Sequence, residues 1–78
     1  MKLTTLKDFK NNLNKEVYVV TDTSTNRTGF HHFTTLEEAI KYKEVRSNKE
    51  PNKTWVLFKA YIREVNGYIS REYIKTIR

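Results

Sequence analysis

The chain has no cysteine among its 78 residues. That rules out disulfides, thiolate zinc sites and cysteine nucleophiles. Small secreted domains usually need such staples, so the absence points to a cytoplasmic setting. Glycine is scarce: Gly29 and Gly67 stand far apart, and no glycine-rich phosphate cradle can form. There is one proline, Pro51. No apolar run approaches the roughly 20 residues of a membrane span, and Met1-Lys2-Leu3-Thr4-Thr5 lacks the apolar stretch of a signal peptide, so no membrane partner is expected. Ser24, Ser47 and Ser70 have no nucleophile-elbow context. The two histidines are adjacent, His31 and His32. Neighbours on a strand point to opposite faces, so the pair cannot share one ion without a bulge. The pattern predicts one packed and one solvated histidine. No enzyme, metal site or cofactor is expected.

What is present is positive charge: fifteen Lys and Arg against nine Asp and Glu, a net +6. Such an excess favours nucleic acid, an acidic protein surface or another anionic partner. The wealth of Lys, Asn, Ile and Tyr also fits AT-rich codon usage, the compositional look of a small accessory protein of a phage or mobile element. A chain of this length makes one domain, residues 1–78. It buries only roughly 60% of its unfolded surface, too little to wall off a deep pocket as well as build a core.

The order of elements follows from local pattern. Leu6, Phe9 and Leu13 form one helical stripe, with Thr5 as N-cap and Asp8 three residues on, which predicts a helix over residues 5–13. Val17, Tyr18, Val19 and Val20 read as a strand. Thr21 to Thr28 reads as a loop, and Gly29 to Phe33 as a strand pairing back as a hairpin. Thr35 with Glu38 is a capping box before Leu36, Ala39 and Ile40, which predicts a second helix over residues 35–47. A polar loop containing Pro51 ends it. The segment from Trp55 to Val65 is β-rich, Asn66-Gly67 suits a two-residue type I′ turn, and Tyr68 to Arg78 returns as its partner strand. A C-terminal helix from Ser70, with Ile69, Tyr73 and Ile77 spaced by four, is the rival reading. The expected fold is α+β: a small antiparallel four-stranded sheet with two helices, in the order α-β-β-α-β-β.

A two-residue turn places Val65 opposite Tyr68 and Glu64 opposite Ile69, and sorts the hairpin into two faces. One carries Val56, Phe58, Ala60, Ile62, Ile69, Tyr73 and Ile77, with Glu64, Arg71 and Lys75 among them. This face is expected to pack on the second helix. The other mixes rings with cations. There Trp55, Tyr61 and Tyr68 are candidates to stack on unpaired bases, and Lys59, Arg63 and Arg78 to meet phosphates. Residues 1–15 and 54–78 each carry a net +3, so Lys7 and Lys10 on the first helix are candidates to join that surface. Two other readings compete with this non-catalytic nucleic-acid-binding module. In one, the first helix docks on Leu57, Tyr61 and Ile74 and makes those rings core. Alternatively the face or a sheet edge binds a protein, as an accessory or inhibitor factor or as a homodimer.

Overall fold

The structure is a computed structural model, which describes residues 1–23 and 29–77. Seven elements follow one another: β1 (Lys2–Leu3), α1 (Leu6–Lys10), β2 (Glu16–Asp22), β3 (His31–Phe33), α2 (Leu36–Lys49), β4 (Trp55–Val65) and β5 (Ile69–Ile77). The strands make one antiparallel sheet in the order β1-β3-β2-β4-β5. The α+β class with two helices is as expected. The strand count is not: β1 is a fifth strand, so the order is β-α-β-β-α-β-β. Two residues carry no strand pattern of their own. β1 exists because Lys2 and Leu3 pair with Phe33 and His32 and the Thr34 amide donates to the Met1 carbonyl at 2.9 Å.

Both helix starts obey their caps. At α1 the Thr5 hydroxyl accepts from the Asp8 amide at 3.2 Å, and the Asp8 carboxylate accepts from the Thr5 amide at 3.2 Å. The Thr4 and Thr5 amides, both donating to the Asp8 carboxylate, hold it below its ordinary range. The helix stops at Lys10, short of the predicted 13: Asn11 caps it and Asn14 turns left-handed with φ 62°. Asn suits such positions better than helix interiors. At α2 the Thr35 hydroxyl accepts from the Glu38 amide at 3.4 Å. The expected return bond from Glu38 to the cap amide is replaced, because its carboxylate is taken by the Thr35 hydroxyl and the Met1 amino group. α2 runs to Lys49, and Glu50 leaves the helix just before Pro51.

The C-terminal segment is a strand, not a helix, but its turn differs from the prediction. Val65 faces Ile69, so three residues, 66–68, reverse the chain. Gly67 alone among them has positive φ, 78°, whereas a type I′ turn needs two such residues. The ladder is therefore one step off next to the turn. Arg63 then bulges as an extra residue on β4 and restores Ile62 opposite Arg71, Tyr61 opposite Glu72 and Ala60 opposite Tyr73. A second bulge at Ile74 moves the register again, leaving Lys59 opposite Lys75. Among the described residues no atom would crowd an added Cβ at Gly67, so only backbone strain opposes a side chain there. Gly67→Ala is expected to cost about 1–2 kcal/mol, read as a lowered Tm in thermal unfolding followed by circular dichroism.

The bulges also bend the sheet. β5 and β3 are separated by β4 and β2, a gap of about 14 Å in a flat sheet. Yet the Arg71 guanidinium lies 3.2 Å from His32. The hairpin must curl over one face to bring them together. That face carries Leu3, Val17, Val19, Ala60 and Ile62, capped by Phe9 of α1, with Phe58, Val65 and Ile69 against them. The other face carries Val20, Phe33, Trp55 and Leu57 under Ala39 of α2, with Tyr18, Leu36, Tyr42 and Ile77 around them. Hence the helices lie on opposite sides of the sheet. The face of Phe58, Ala60 and Ile62, expected beneath the second helix, sits beneath the first.

Candidate nucleic-acid interface

On the α2 side, the residues proposed from sequence to meet a ligand are mostly engaged within the protein. Trp55 is only 6% exposed, with the Arg46 guanidinium 5.0 Å from its ring, so no free base can stack on it as placed. This corrects its assignment as a stacking residue: α2, not α1, covers it. Lys59 is bound to Glu16 at 3.2 Å, a bond that raises its pKa further, and stands 5.8 Å over Tyr18. The half-buried Tyr61 lies beneath the Arg63 guanidinium at 4.3 Å. Arg63 in turn donates to Glu72 at 2.8 Å and to Asn14 at 3.2 Å. Tyr68 is 64% exposed at the turn. Arg78 lies outside the described residues, as do residues 24–28 of the predicted loop. Lys7 and Lys10 are exposed on α1, across the sheet from Trp55 and Lys59. The seven described residues among them therefore do not form one surface.

The α1 side offers a different arrangement. A five-residue helix covers little area, and of its predicted stripe only Phe9 is buried, while Leu6 and Leu13 face outward. The rest of the curled face is left partly open. Phe58 is half-buried, and Tyr73 is 58% exposed with its ring 5.7 Å from that of Phe58. Phe30, 37% exposed, carries the Arg71 guanidinium 4.1 Å above its ring. Arg71 and Tyr73 are two apart on β5, so both side chains leave the same face of the strand.

Arg71 is the group sequence reasoning missed. Arg46 and Arg63 each have a carboxylate partner, Glu50 and Glu72. Among the described residues none lies within ion-pair distance of Arg71, and burial alone pushes its pKa down. Its hydrogen-bond partner is His32, whose Nε2 lies 3.2 Å from Arg71 Nη1. A guanidinium can only donate, so Nε2 must accept and His32 is a neutral imidazole with its proton on Nδ1. One signal was visible in the sequence. Arg71 falls opposite Ile62, between Ile69 and Tyr73 on the mostly apolar face of the hairpin.

The histidines do leave opposite faces, but both are packed rather than one being solvated. His32 is 4% exposed with Phe9 edge-on at 4.8 Å. Burial chiefly, then the charge of Arg71 and then His31, lowers its pKa to about 4. On the other face His31 lies against Tyr42, ring centroids 4.8 Å apart, with the tyrosine hydroxyl 3.3 Å from its nitrogens. Burial, Lys2 and Arg46 hold its pKa below the ordinary value. Among the described residues no three His, Asp or Glu side chains gather as metal ligands would, and no helix is long and apolar enough to cross a membrane.

Comparison of the chain with protein-family models, curated proteins and solved structures returns no match.

The chemistry on offer is thus that of the patch itself. Exposed aromatic faces accept flat π-systems, and a desolvated guanidinium accepts an oxyanion. The hollows beside α2, of about 600 and 390 Å³, hold neither combination. The larger is lined by Ile40, Lys43, Glu44, Ser47 and Asn48, and the smaller by Phe33, Glu38, Lys41, Tyr42 and Val45.

Proposed function

We propose that the protein is a non-catalytic module that binds single-stranded nucleic acid on the α1 side of its sheet. Tyr73 and Phe58 stack bases, and Arg71, Lys7 and Lys10 meet phosphates. The observation that carries the reading is Arg71: a partly desolvated cation, flanked by exposed rings, with no acid against it among the described residues. The net charge of +6 supports it. So does the placement of the acids. Glu16 and Glu72 neutralise Lys59 and Arg63 on the α2 side, whereas Asp8 of α1 is held by its own cap. An unpaired base is favoured over a duplex because a stack on an open ring is worth about 1–3 kcal/mol and needs a splayed-out base.

Three phosphate contacts to a single strand predict a slope of about −2 in log affinity against log salt, or roughly a 20-fold loss between 50 and 200 mM. Anisotropy of a fluorescein-labelled oligothymidylate, titrated at both concentrations, measures it. No binding at 50 mM overturns the reading.

A protein partner is the second reading, favoured by one observation: β5, nine residues long, is the last strand of the sheet, and among the described residues its outer edge is unpaired. Here a second copy or an acidic protein would add a strand. Light scattering after gel filtration, and a pull-down repeated after nuclease treatment, separate the two. A dimer, or partners retained after nuclease, favours this reading over the first.

A further inference from the structure

We propose that Arg71 and His32 form a clamp for one phosphate group of the bound strand, with Arg71 the binding residue and His32 its positioning residue. The inference rests on the nucleic-acid reading and adds the chemistry of a single subsite to it.

An arginine on a solvated strand samples many rotamers. Arg71 is held at two points: its guanidinium carbon lies 4.1 Å from the Phe30 ring centroid, and one Nη1 proton is donated to His32 at 3.2 Å. His32 is itself fixed. It stands opposite Leu3 and Val19 in the sheet, is 4% exposed, and has the Phe9 ring edge-on at an interplanar angle of 87°. A buried neutral acceptor thus orients the fork without neutralising it, which a carboxylate in the same place would do. One donor is used on the protein. The others remain for a bidentate oxyanion, the geometry that distinguishes arginine from lysine. Tyr73 follows two residues later on the same face, about 7 Å along the strand, a separation comparable to that of phosphate and base within one nucleotide. This pairing favours a nucleotide phosphate over an isolated carboxylate. The phosphate can be a 5′-terminal group or an internal diester, since both present the same pair of oxygens.

Thymidine trinucleotides with and without a 5′-phosphate, titrated by NMR against the whole protein, test the clamp. Tenfold tighter binding of the phosphorylated form assigns the site to a terminal group, and equal binding to an internal diester. Arg71→Lys keeps the charge but loses the fork, and is expected to weaken binding of the preferred trinucleotide at least tenfold. His32→Leu keeps the bulk without the acceptor and is expected to do the same, while His32→Gln, whose amide oxygen can accept, restores affinity to within threefold of the original. Thermal unfolding of each variant checks the fold. If His32→Leu fails to fold, Arg71→Lys and His32→Gln carry the test. Binding within twofold of the original in Arg71→Lys overturns the clamp while leaving the nucleic-acid reading intact. The converse is also readable. If no oligonucleotide binds but inorganic phosphate shifts the Arg71 side-chain resonance, and Arg71→Gln abolishes the response of neighbouring amides, the nucleic-acid reading fails and the clamp stands as an anion site.

Discussion

Replacing Trp55 by alanine is expected to cost about 3–5 kcal/mol of stability, the loss typical of a large aromatic cut out of a core. A domain of this length has only about 4–12 kcal/mol to lose, so the substitution removes from a quarter to all of the stability and should lower Tm by tens of degrees. The size of the effect comes from where the ring sits. Trp55 packs with Val20, Phe33, Ala39 and Leu57, between the sheet and α2, and Arg46 lies against its face. Ala39, small and fully buried, lets the helix approach closely, so little can move in to refill the space. Trp55→Phe should be far milder, about 1 kcal/mol, because it keeps most of the apolar volume. Its indole N–H finds no acceptor among the described residues, so the change breaks no hydrogen bond. Urea denaturation of both variants measures the difference. The same tryptophan reports on the ligand. Its emission should be blue-shifted, resist acrylamide, and stay unchanged when an oligonucleotide saturates the α1 side. Quenching by bound bases would put the ligand on the α2 side instead.

Local chemistry was legible in the sequence, and non-local geometry was not. Thr5 with Asp8 and Thr35 with Glu38 announce helix starts because a cap depends on residues three positions apart. The β-branched run of β2 and the strand reading of β5 likewise follow from short-range pattern. The side of the sheet each helix covers has no such signal. β2 is central and apolar on both faces, with Val17 and Val19 on one side and Tyr18 and Val20 on the other, so its alternation does not say which is which. The bulges at Arg63 and Ile74 each shift the pairing by one residue, and neither position carries a local sequence mark that announces it. The predicted two-residue register holds only between them. The candidate site suffered most from this. Its aromatic and basic residues interleave in the sequence, but Trp55 is buried under α2, and the one arginine without an acid among the described residues, Arg71, falls on the face expected to be greasy.

Acidification from pH 7 to pH 5 is expected to remove about 2 kcal/mol of stability through His32 alone, rising to about 3 kcal/mol by pH 4. Burial first, and then Arg71 and His31, lower its pKa from the ordinary 6.5 to about 4 in the folded protein. Above pH 6.5 the ring is neutral in both folded and unfolded chains and the stability is complete. Between 6.5 and 4 the unfolded chain takes up a proton that the folded chain resists, because a protonated ring would be buried with its charge facing Arg71 at 3.2 Å. Stability is therefore lost as the pH falls through this window, and only a few tenths of a kcal/mol more comes from His32 below it. Its neighbour adds to the same trend, since His31 is also held below its ordinary value by burial, Lys2 and Arg46. The carboxylates act later. Glu38 and Glu50 are lowered from 4.5 and Asp8 from 3.8 by the hydrogen bonds they accept, so their contributions fade only as the pH drops below these values. Urea titrations at pH 7, 6 and 5 isolate the histidines for that reason. In His32→Gln the difference between pH 7 and pH 5 should shrink by about 2 kcal/mol. An unchanged pH dependence in that variant would mean that His32 takes up its proton as easily folded as unfolded, and that Arg71 is not held against a neutral ring.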